Sequence, residues 1–207
     1  MKLNIPATYS SITLGHFVKV MTAKSYIDKA CAITGESKKV IRDLPQETVE
    51  KIITLWDQVV SRKTAKHTPT FRTSLFGKRL GLIPNFTAMT YGEDTDARTY
   101  CDLIWGGDSE KPNYHELPKL IALLFRPVTY KVGQYYEVEA YDPDRVRHQE
   151  AVNQMTMDRV EGALLFFSTI ASSQIDILPQ FLLKKAEMEM EEAKMMLAKM
   201  QAAVEED

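Results

Sequence analysis

The chain has few cysteines, few glycines and no long apolar run. Its 207 residues include two cysteines, Cys31 and Cys101. Two cysteines are too few for a disulfide framework or a cysteine-rich zinc module, and they fit a reducing compartment. The longest apolar run, residues 162–167, is far shorter than the roughly 18 residues that a membrane-spanning helix needs. Met1 to Pro6 lacks the apolar core of a signal peptide, so we expect an intracellular protein with no membrane partner.

Motifs that carry catalysis are also missing from the sequence. His115-Glu116 lacks the second histidine of a zinc protease helix, and Gly106-Gly107 is not followed by the Gly-Lys-Ser/Thr of a phosphate-binding loop. No Gly-x-Ser-x-Gly nucleophile turn occurs. Cys101 lies near the predicted end of a helix, where the dipole raises a thiol pKa. We therefore predict that the protein is not an enzyme, with no catalytic residues, no cofactor and no metal.

Two pairs of aspartates keep a metal-dependent enzyme open as the weakest alternative. Asp94 and Asp96, and likewise Asp142 and Asp144, are spaced as ligands of a hard cation. Neither pair continues into an EF-hand loop. Capping of the next helix is the simpler interpretation of Asp142 and Asp144.

Charge is distributed very unevenly along the chain, although the net charge is only −2. Residues 1–83 hold 14 Lys and Arg against 6 Asp and Glu, residues 84–179 hold 8 against 15, and residues 180–207 hold 4 against 7. The densest basic stretch contains no acid. It comprises Arg62, Lys63, Lys66, Arg72, Lys78 and Arg79. The acidic side includes Glu93, Asp94 and Asp96.

Three interpretations of this asymmetry remain open. The blocks can neutralise each other within one fold. They can also meet between copies, where a basic face on an acidic face makes a head-to-tail contact that closes into a ring or grows as a helix. Alternatively, the basic segment 62–79 binds nucleic acid, although it offers only Phe71 and Phe76 for stacking.

Hydrophobic periodicity predicts an α+β fold that is mostly helical. Helices are expected over 14–21, 25–34, 39–44, 43–60, 91–101, 114–125, 142–153 and 157–171. Two β-hairpins are expected, 70–75 with 79–83 and 128–132 with 135–141, and they can pair into one small antiparallel sheet. Thr13 and Thr90 each begin a helix as Thr-x-Gly, so Gly15 and Gly92 can admit a close neighbour.

The C-terminal segment differs in composition from the rest. Five of the ten methionines follow Pro179, and no glycine or further proline does. Its apolar residues are spaced 4, 4, 3, 4, 3, 4 and are Leu182, Ala186, Met190, Ala193, Leu197, Met200 and Val204. This spacing predicts an amphipathic helix that packs on its own domain or on a partner. We expect a core domain over 1–175 and a Met-rich helical extension over 178–207.

Several segments together resemble small proteins of tailed bacteriophages that are encoded among virion and tail-assembly genes. The resemblance covers residues 3–170, and the segments that carry it are Ile12 to Phe17, Gly81 to Phe86, Thr90 to Glu93, Leu123 to Pro127, and Met155 to Asp158 leading into Gly162 to Phe167. The resemblance implies a non-enzymatic tail or neck component, or a tail-assembly chaperone. It implies partners among other virion proteins, several copies in an assembly, and a location in the virion or the host cytoplasm.

The sequence therefore predicts a phage structural or assembly protein that acts through protein–protein contacts. The alternative is a nucleic-acid-binding accessory protein that uses the basic segment 62–79. The residues expected to make contacts are Arg62, Lys63, Lys66, Arg72, Lys78 and Arg79 on one face, Glu93, Asp94 and Asp96 on the other, and Leu182, Met190, Leu197 and Met200 on the C-terminal helix.

Overall fold

A computed structural model describes residues 3–61, 71–75, 77–85, 89–106, 112–142 and 149–168. The chain divides into two units, Met1–Leu165 and Phe166–Asp207. The predicted Met-rich helix lies outside the described residues. Within the described part, the fold is α+β, as the sequence predicts.

The first four helices follow the predicted pattern closely. They are α1 (Leu14–Met21), α2 (Tyr26–Thr34), α3 (Lys38–Arg42) and α4 (Gln46–Ser61). The hydroxyl oxygens of Thr13, Ser25 and Ser37 accept hydrogen bonds from backbone N–H groups in the first turns of α1, α2 and α3. Gly35 ends α2 in the left-handed conformation, at φ 77°.

The two predicted hairpins pair into one antiparallel sheet, which confirms that expectation. Its strands are β1 (Arg72–Leu75), β2 (Lys78–Leu82), β3 (Phe125–Val132) and β4 (Tyr135–Val138), in the order β1-β2-β3-β4. The hairpins join where Leu80, Gly81 and Leu82 pair with Pro127, Arg126 and Phe125. Leu80, Leu82 and Phe125 are buried, so one side of this junction packs on the core.

The helix predicted over 114–125 is shorter than expected. Tyr114–Glu116 form a 3-10 turn, α6 covers Leu117–Leu124, and Phe125 already belongs to β3. Arg126 is extended, because the residue before proline avoids the helical region. The carbonyl of Pro127 points to the end of β4, where it accepts a hydrogen bond from Glu139 N. The nitrogen of Pro127 points to the same side, just beyond the last residue of β4. Proline, which has no N–H group, is therefore tolerated at this position of β3.

The remaining helices are α5 (Tyr91–Trp105), α7 (Gln149–Asn153) and α8 (157–168). α5 is one turn longer than predicted. The sequence predicts a polar helix over 142–153. The structure describes its last part as α7, in which Ala151 and Val152 are buried. Residues 143–148 lie outside the described residues. Thr13 and Thr156 form an antiparallel bridge, with Leu14 N donating to Met155 O at 2.7 Å. The starts of α1 and α8 therefore lie side by side.

The suggested glycine contact exists at one of its two positions. A Cβ on Gly15 would lie 3.2 Å from the side chain and the carbonyl oxygen of Asn153 in α7. Nothing lies within 4 Å of the same position on Gly92. Gly15 therefore admits a neighbouring helix, whereas Gly92 only occupies a first helical turn.

Candidate interaction surface

The predicted basic residues do not share one face where the structure describes them. Arg62, Lys63 and Lys66 lie outside the described residues. Lys78 and Arg79 are consecutive in β2, so their side chains leave opposite sides of the strand. The register puts Arg79 on the side of Gly81, away from the buried Leu80 and Leu82.

Arg72 makes contacts within the sheet. Its guanidinium donates to the carbonyl of Gly133 at 3.3 Å and to Oε1 of Gln134 at 2.8 Å, both in the β3–β4 turn. It also lies over the ring of Tyr136, 5.5 Å from the ring centre. Arg72 therefore ties the first hairpin to the second.

The predicted acidic face is largely occupied by contacts within the chain. Glu93 is only 4% exposed, so it does not lie on a docking surface as expected. Its Oε1 lies 2.8 Å from Nη1 of Arg126, and its Oε2 accepts from the backbone N of Thr90 at 2.5 Å. It thus closes a capping box at the start of α5 and neutralises a buried guanidinium.

The other two acids of this group are partly exposed, and each has a partner. Asp94 Oδ2 lies 2.7 Å from Nε of Arg98, one turn further along α5. Asp96 Oδ2 accepts from the hydroxyl of Tyr141 at 2.5 Å. Burial, together with this acceptor, raises the pKa of Tyr141 above its usual range. Since Asp94 and Asp96 bind different partners, they do not form the cation site considered from the sequence.

Sequence reasoning missed an exposed apolar strip on one side of the β3–β4 hairpin. Tyr130, Val132 and Tyr135 are 51%, 59% and 60% exposed. Val132 and Tyr135 are cross-strand partners, and the rings of Tyr130 and Tyr135 meet edge-on at 6.4 Å. The Tyr135 hydroxyl donates to Oε1 of Glu137 at 2.8 Å. We call Tyr130, Val132 and Tyr135 the hairpin strip.

The opposite side of the same hairpin is anchored by Tyr136, which packs over Gly81. Tyr136 is 6% exposed, and its hydroxyl donates to Leu82 O at 2.5 Å and lies 3.2 Å from Phe71 O. A Cβ on Gly81 would lie 2.5 Å from the Tyr136 ring, so glycine is required beneath it. Burial raises the pKa of Tyr136, against a smaller opposing effect of Arg72. With Tyr136 held in this way, the hairpin carries the strip on a defined backbone.

The sequence carries only a weak signal for this strip. Tyr135 and Tyr136 are adjacent tyrosines, and hydrophobicity does not tell which one is buried. The pairing is also shifted between Val128 and Tyr130 by a bulge, which changes the count of alternating residues. Tyr136 becomes the buried one because Gly81 leaves room for its ring.

Two observations on the described residues bear on metal binding and on thiol chemistry. Among these residues, no group of three or more His, Cys, Asp or Glu side chains is placed to hold a metal ion. Burial, and then the charge of Asp102, raises the pKa of the Cys101 thiol, which agrees in direction with the sequence expectation and disfavours a thiolate nucleophile. The helices in the described ranges are too short or too polar to cross a membrane.

Comparison with protein-family models, with curated proteins and with solved structures finds no match to this chain. The Leu182, Met190, Leu197 and Met200 positions lie outside the described residues. Among the described residues, the hairpin strip is therefore the candidate interaction surface.

Proposed function

We propose that this protein is a non-enzymatic structural or assembly protein of a tailed bacteriophage, present in several copies and acting through contacts with other proteins. A tail or neck component and a tail-assembly chaperone both fit this proposal. The phage context rests on the sequence resemblance. The observation that carries a binding role is the hairpin strip, three large apolar side chains exposed together on an anchored hairpin.

Exposed clusters of this kind favour recognition of proteins. Tyrosine brings a large apolar surface and a polar tip at a small cost in side-chain entropy, and it is enriched at protein interfaces. Exposed rings on an anchored hairpin suit a protein partner better than a small substrate, which binds in an enclosed cleft.

Nucleic acid is the second candidate. Tyr130 and Tyr135 are exposed rings, and exposed rings can stack on the bases of single-stranded nucleic acid. Lys131 pairs with Tyr136, so its side chain leaves the opposite side of the hairpin. Glu137 lies in the same cross-strand block and is bound by Tyr135, which opposes a phosphate backbone there. A protein partner is therefore the better-supported choice. Affinity for single-stranded DNA that falls steeply with salt would reverse this ranking.

Deletion of the gene from the phage that encodes it, followed by supply of the protein from a plasmid, tests the proposal. We expect deletion to block formation of infectious particles and the wild-type protein to restore it. The double variant Tyr130→Ser/Tyr135→Ser should not restore it. The matched control Tyr26→Ser/Tyr91→Ser changes two tyrosines that are 74% and 88% exposed on helices, and it should restore it. Normal particle yield after deletion would contradict the proposal.

A further inference from the structure

We infer that the hairpin strip binds the opposite side of the sheet of a second copy of this chain, the basic side, which carries Arg79 and Lys131. Copies then join head to tail, because the two surfaces in contact lie on opposite sides of one sheet. Contacts of this kind rest on the proposed function, which places several copies of the chain in one assembly, and they name the partner of the strip.

The strand register places the exposed cations together on one side of the sheet. Lys131 pairs with Tyr136, so both side chains leave the same side of the hairpin. The Tyr136 ring packs on Gly81, which shares its side of β2 with Arg79. Arg72 pairs with Gly81 and adds a third cation to this side. Arg79 and Lys131 are both exposed, so their charges are available to a partner.

The strip lies on the other side of the sheet and is bordered by acid. Val132 pairs with Tyr135, and Tyr130 pairs with Glu137, so these four side chains share one side of the hairpin. Glu137 is exposed and accepts a hydrogen bond from the Tyr135 hydroxyl at 2.8 Å. Glu139, two residues further along the chain, is exposed as well. Among the residues of β3 and β4, this side carries no cation.

Two exposed rings beside a carboxylate form a surface that suits Arg and Lys side chains. A guanidinium or an ammonium group is attracted to the face of an aromatic ring within about 6 Å of its centre. The sheet already contains one such contact, since the Arg72 guanidinium lies 5.5 Å from the centre of the Tyr136 ring. The apolar stems of Arg79 and Lys131 can cover the strip while their charged ends reach Glu137.

Charge complementarity selects the basic side of another copy as the partner. The cations and Glu137 lie on opposite sides of the sheet, so they meet between molecules rather than within one. Two strips packed against each other would instead bring two acidic surfaces together. Nucleic acid on the basic side would leave the strip uncovered. A contact between two different surfaces of one chain repeats from copy to copy, and closes into a ring or grows as a filament.

The size of the strip sets the expected strength. Three apolar side chains cannot supply the roughly 800 Å² that each partner buries in a standard stable interface. We therefore expect weak self-association of the free protein. Many copies held close together raise the effective concentration, so a weak contact of this kind becomes occupied in an assembly.

The experiment measures the mass of full-length proteins by sedimentation and light scattering at low salt, from about 10 µM to about 1 mM, a range that brackets weak association. The basic-side variant is Arg79→Glu/Lys131→Glu, and the strip-side variant is Glu137→Lys/Glu139→Lys. Two controls make the same changes of charge at exposed positions outside the sheet, and they are Lys19→Glu/Lys24→Glu and Glu47→Lys/Glu50→Lys. Circular dichroism and urea midpoints check that each variant is folded.

We expect the wild type and both controls to associate with increasing concentration, and less so at high salt. Each sheet variant alone should associate about tenfold more weakly, because it sets charges of the same sign against each other. An equimolar mixture of the two sheet variants should regain association. In that mixture one protein has acid on both sides of its sheet and the other has cations on both sides, so every contact joins opposite charges.

A further variant ties the contact to the rings of the strip. Tyr130→Ser/Tyr135→Ser keeps all charges and should also weaken association about tenfold, since central aromatic residues contribute most to a small interface. Tyr26→Ser/Tyr91→Ser, at two exposed positions on helices, should associate like the wild type.

Three results would overturn the head-to-tail contact. They are a wild type that stays monomeric throughout the range, a sheet variant that associates like the wild type, and a mixture of folded sheet variants that stays monomeric. Binding of single-stranded DNA by a monomeric wild type, lost in the basic-side variant, would assign the basic side to nucleic acid instead.

The outcomes for the contact and for the proposed function can be told apart. Loss of the contact leaves the proposed function in place if deletion of the gene still blocks particle formation, since the strip then binds a different protein. Normal particle yield after deletion, together with the expected association, would remove the proposed function alone.

Discussion

Glu93 and Arg126 form an ion pair that is almost completely removed from water. Their side chains are 6% and 8% exposed, and their charged atoms lie 2.8 Å apart. Arg126 Nε is buried and has no hydrogen-bond partner among the described residues, so Glu93 is the partner that compensates the guanidinium there. Breaking such a pair from one side leaves an uncompensated buried charge.

Replacement of Glu93 by Gln should therefore lower the free energy of unfolding by about 3–5 kcal/mol, the usual cost of opening a buried pair from one side. Urea unfolding followed by circular dichroism measures this loss. Asp94→Asn is the matched control, because Asp94 pairs with Arg98 near the surface and such pairs contribute about 0.5 kcal/mol or less. Equal losses in the two variants would show that the buried pair contributes no more than the exposed one.

Tyr9 should make stability fall at alkaline pH. Burial raises the pKa of its hydroxyl, and the charges of Glu161, Tyr114 and Asp158 raise it further. The unfolded chain loses this proton near pH 10, whereas the folded protein keeps it. The stabilising effect is thus complete below about pH 10 and is lost as the pH rises, by up to about 1.4 kcal/mol per pH unit.

Urea unfolding at several pH values above 9 checks this expectation. Tyr9→Phe should flatten the fall in stability by the share of one group. Tyr26→Phe, at a position 74% exposed in the folded protein, should leave the slope as it is. A slope that is the same in both variants and the wild type would rule out Tyr9 as the cause.

At the scale of elements, the two helices that begin with Thr-x-Gly are alike in their caps and differ in their packing. Both threonines cap, with Thr13 accepting from His16 N and Thr90 accepting from Glu93 N, each at 3.3 Å. Only the glycine of α1 lies against another helix. The same Thr-x-Gly pattern thus occurs in two different environments, which the pattern alone does not distinguish.

Alanine substitution at these glycines should have opposite effects. Gly15→Ala brings a methyl group to 3.2 Å from the Asn153 carbonyl, in a segment held by the Leu14–Met155 hydrogen bond, and should destabilise by about 1 kcal/mol. Gly92→Ala meets nothing and should stabilise by up to about 1 kcal/mol, because alanine is the better helix former. Thermal unfolding of both variants measures these changes in stability. Stabilisation by Gly15→Ala would show that α7 moves aside to make room for the methyl group.

An element could be predicted from the sequence where the residues that determine it lie within or next to the element. Caps, proline positions and alternation are local, and they placed α1 to α5 and both hairpins to within a few residues. The junction at Phe125 was missed because strand formation there depends on pairing with Leu82, about forty residues away. The hairpin strip was missed for the same reason: Gly81 on a distant strand decides that Tyr136 is buried and Tyr135 exposed.

At the scale of the whole molecule, the ion pairs between described residues bear on the charge asymmetry of the sequence. Each ion pair found between described residues joins partners from the same block of sequence. Lys29–Asp57 and Lys38–Asp28 lie within the basic part, and Glu93–Arg126, Asp94–Arg98 and Glu116–Lys119 lie within the acidic part. The ion pairs between described residues therefore form within the basic and acidic blocks of the sequence, and none of them joins one block to the other. A molecule with separated charge of both signs attracts its own copies at low salt.

Charge reversal on β2 tests where that attraction resides. Lys78→Glu/Arg79→Glu should abolish the attraction between molecules that light scattering detects at low salt, and the fold should survive because both side chains are exposed. Lys19→Glu/Lys24→Glu alters the net charge equally, on exposed lysines of the same basic block but outside the hairpins, and should leave most of the attraction intact. An equal effect of both variants would mean that net charge, rather than the hairpin surface, governs association. A larger effect at β2 would place the contact on the part of the sheet that carries Lys78 and Arg79.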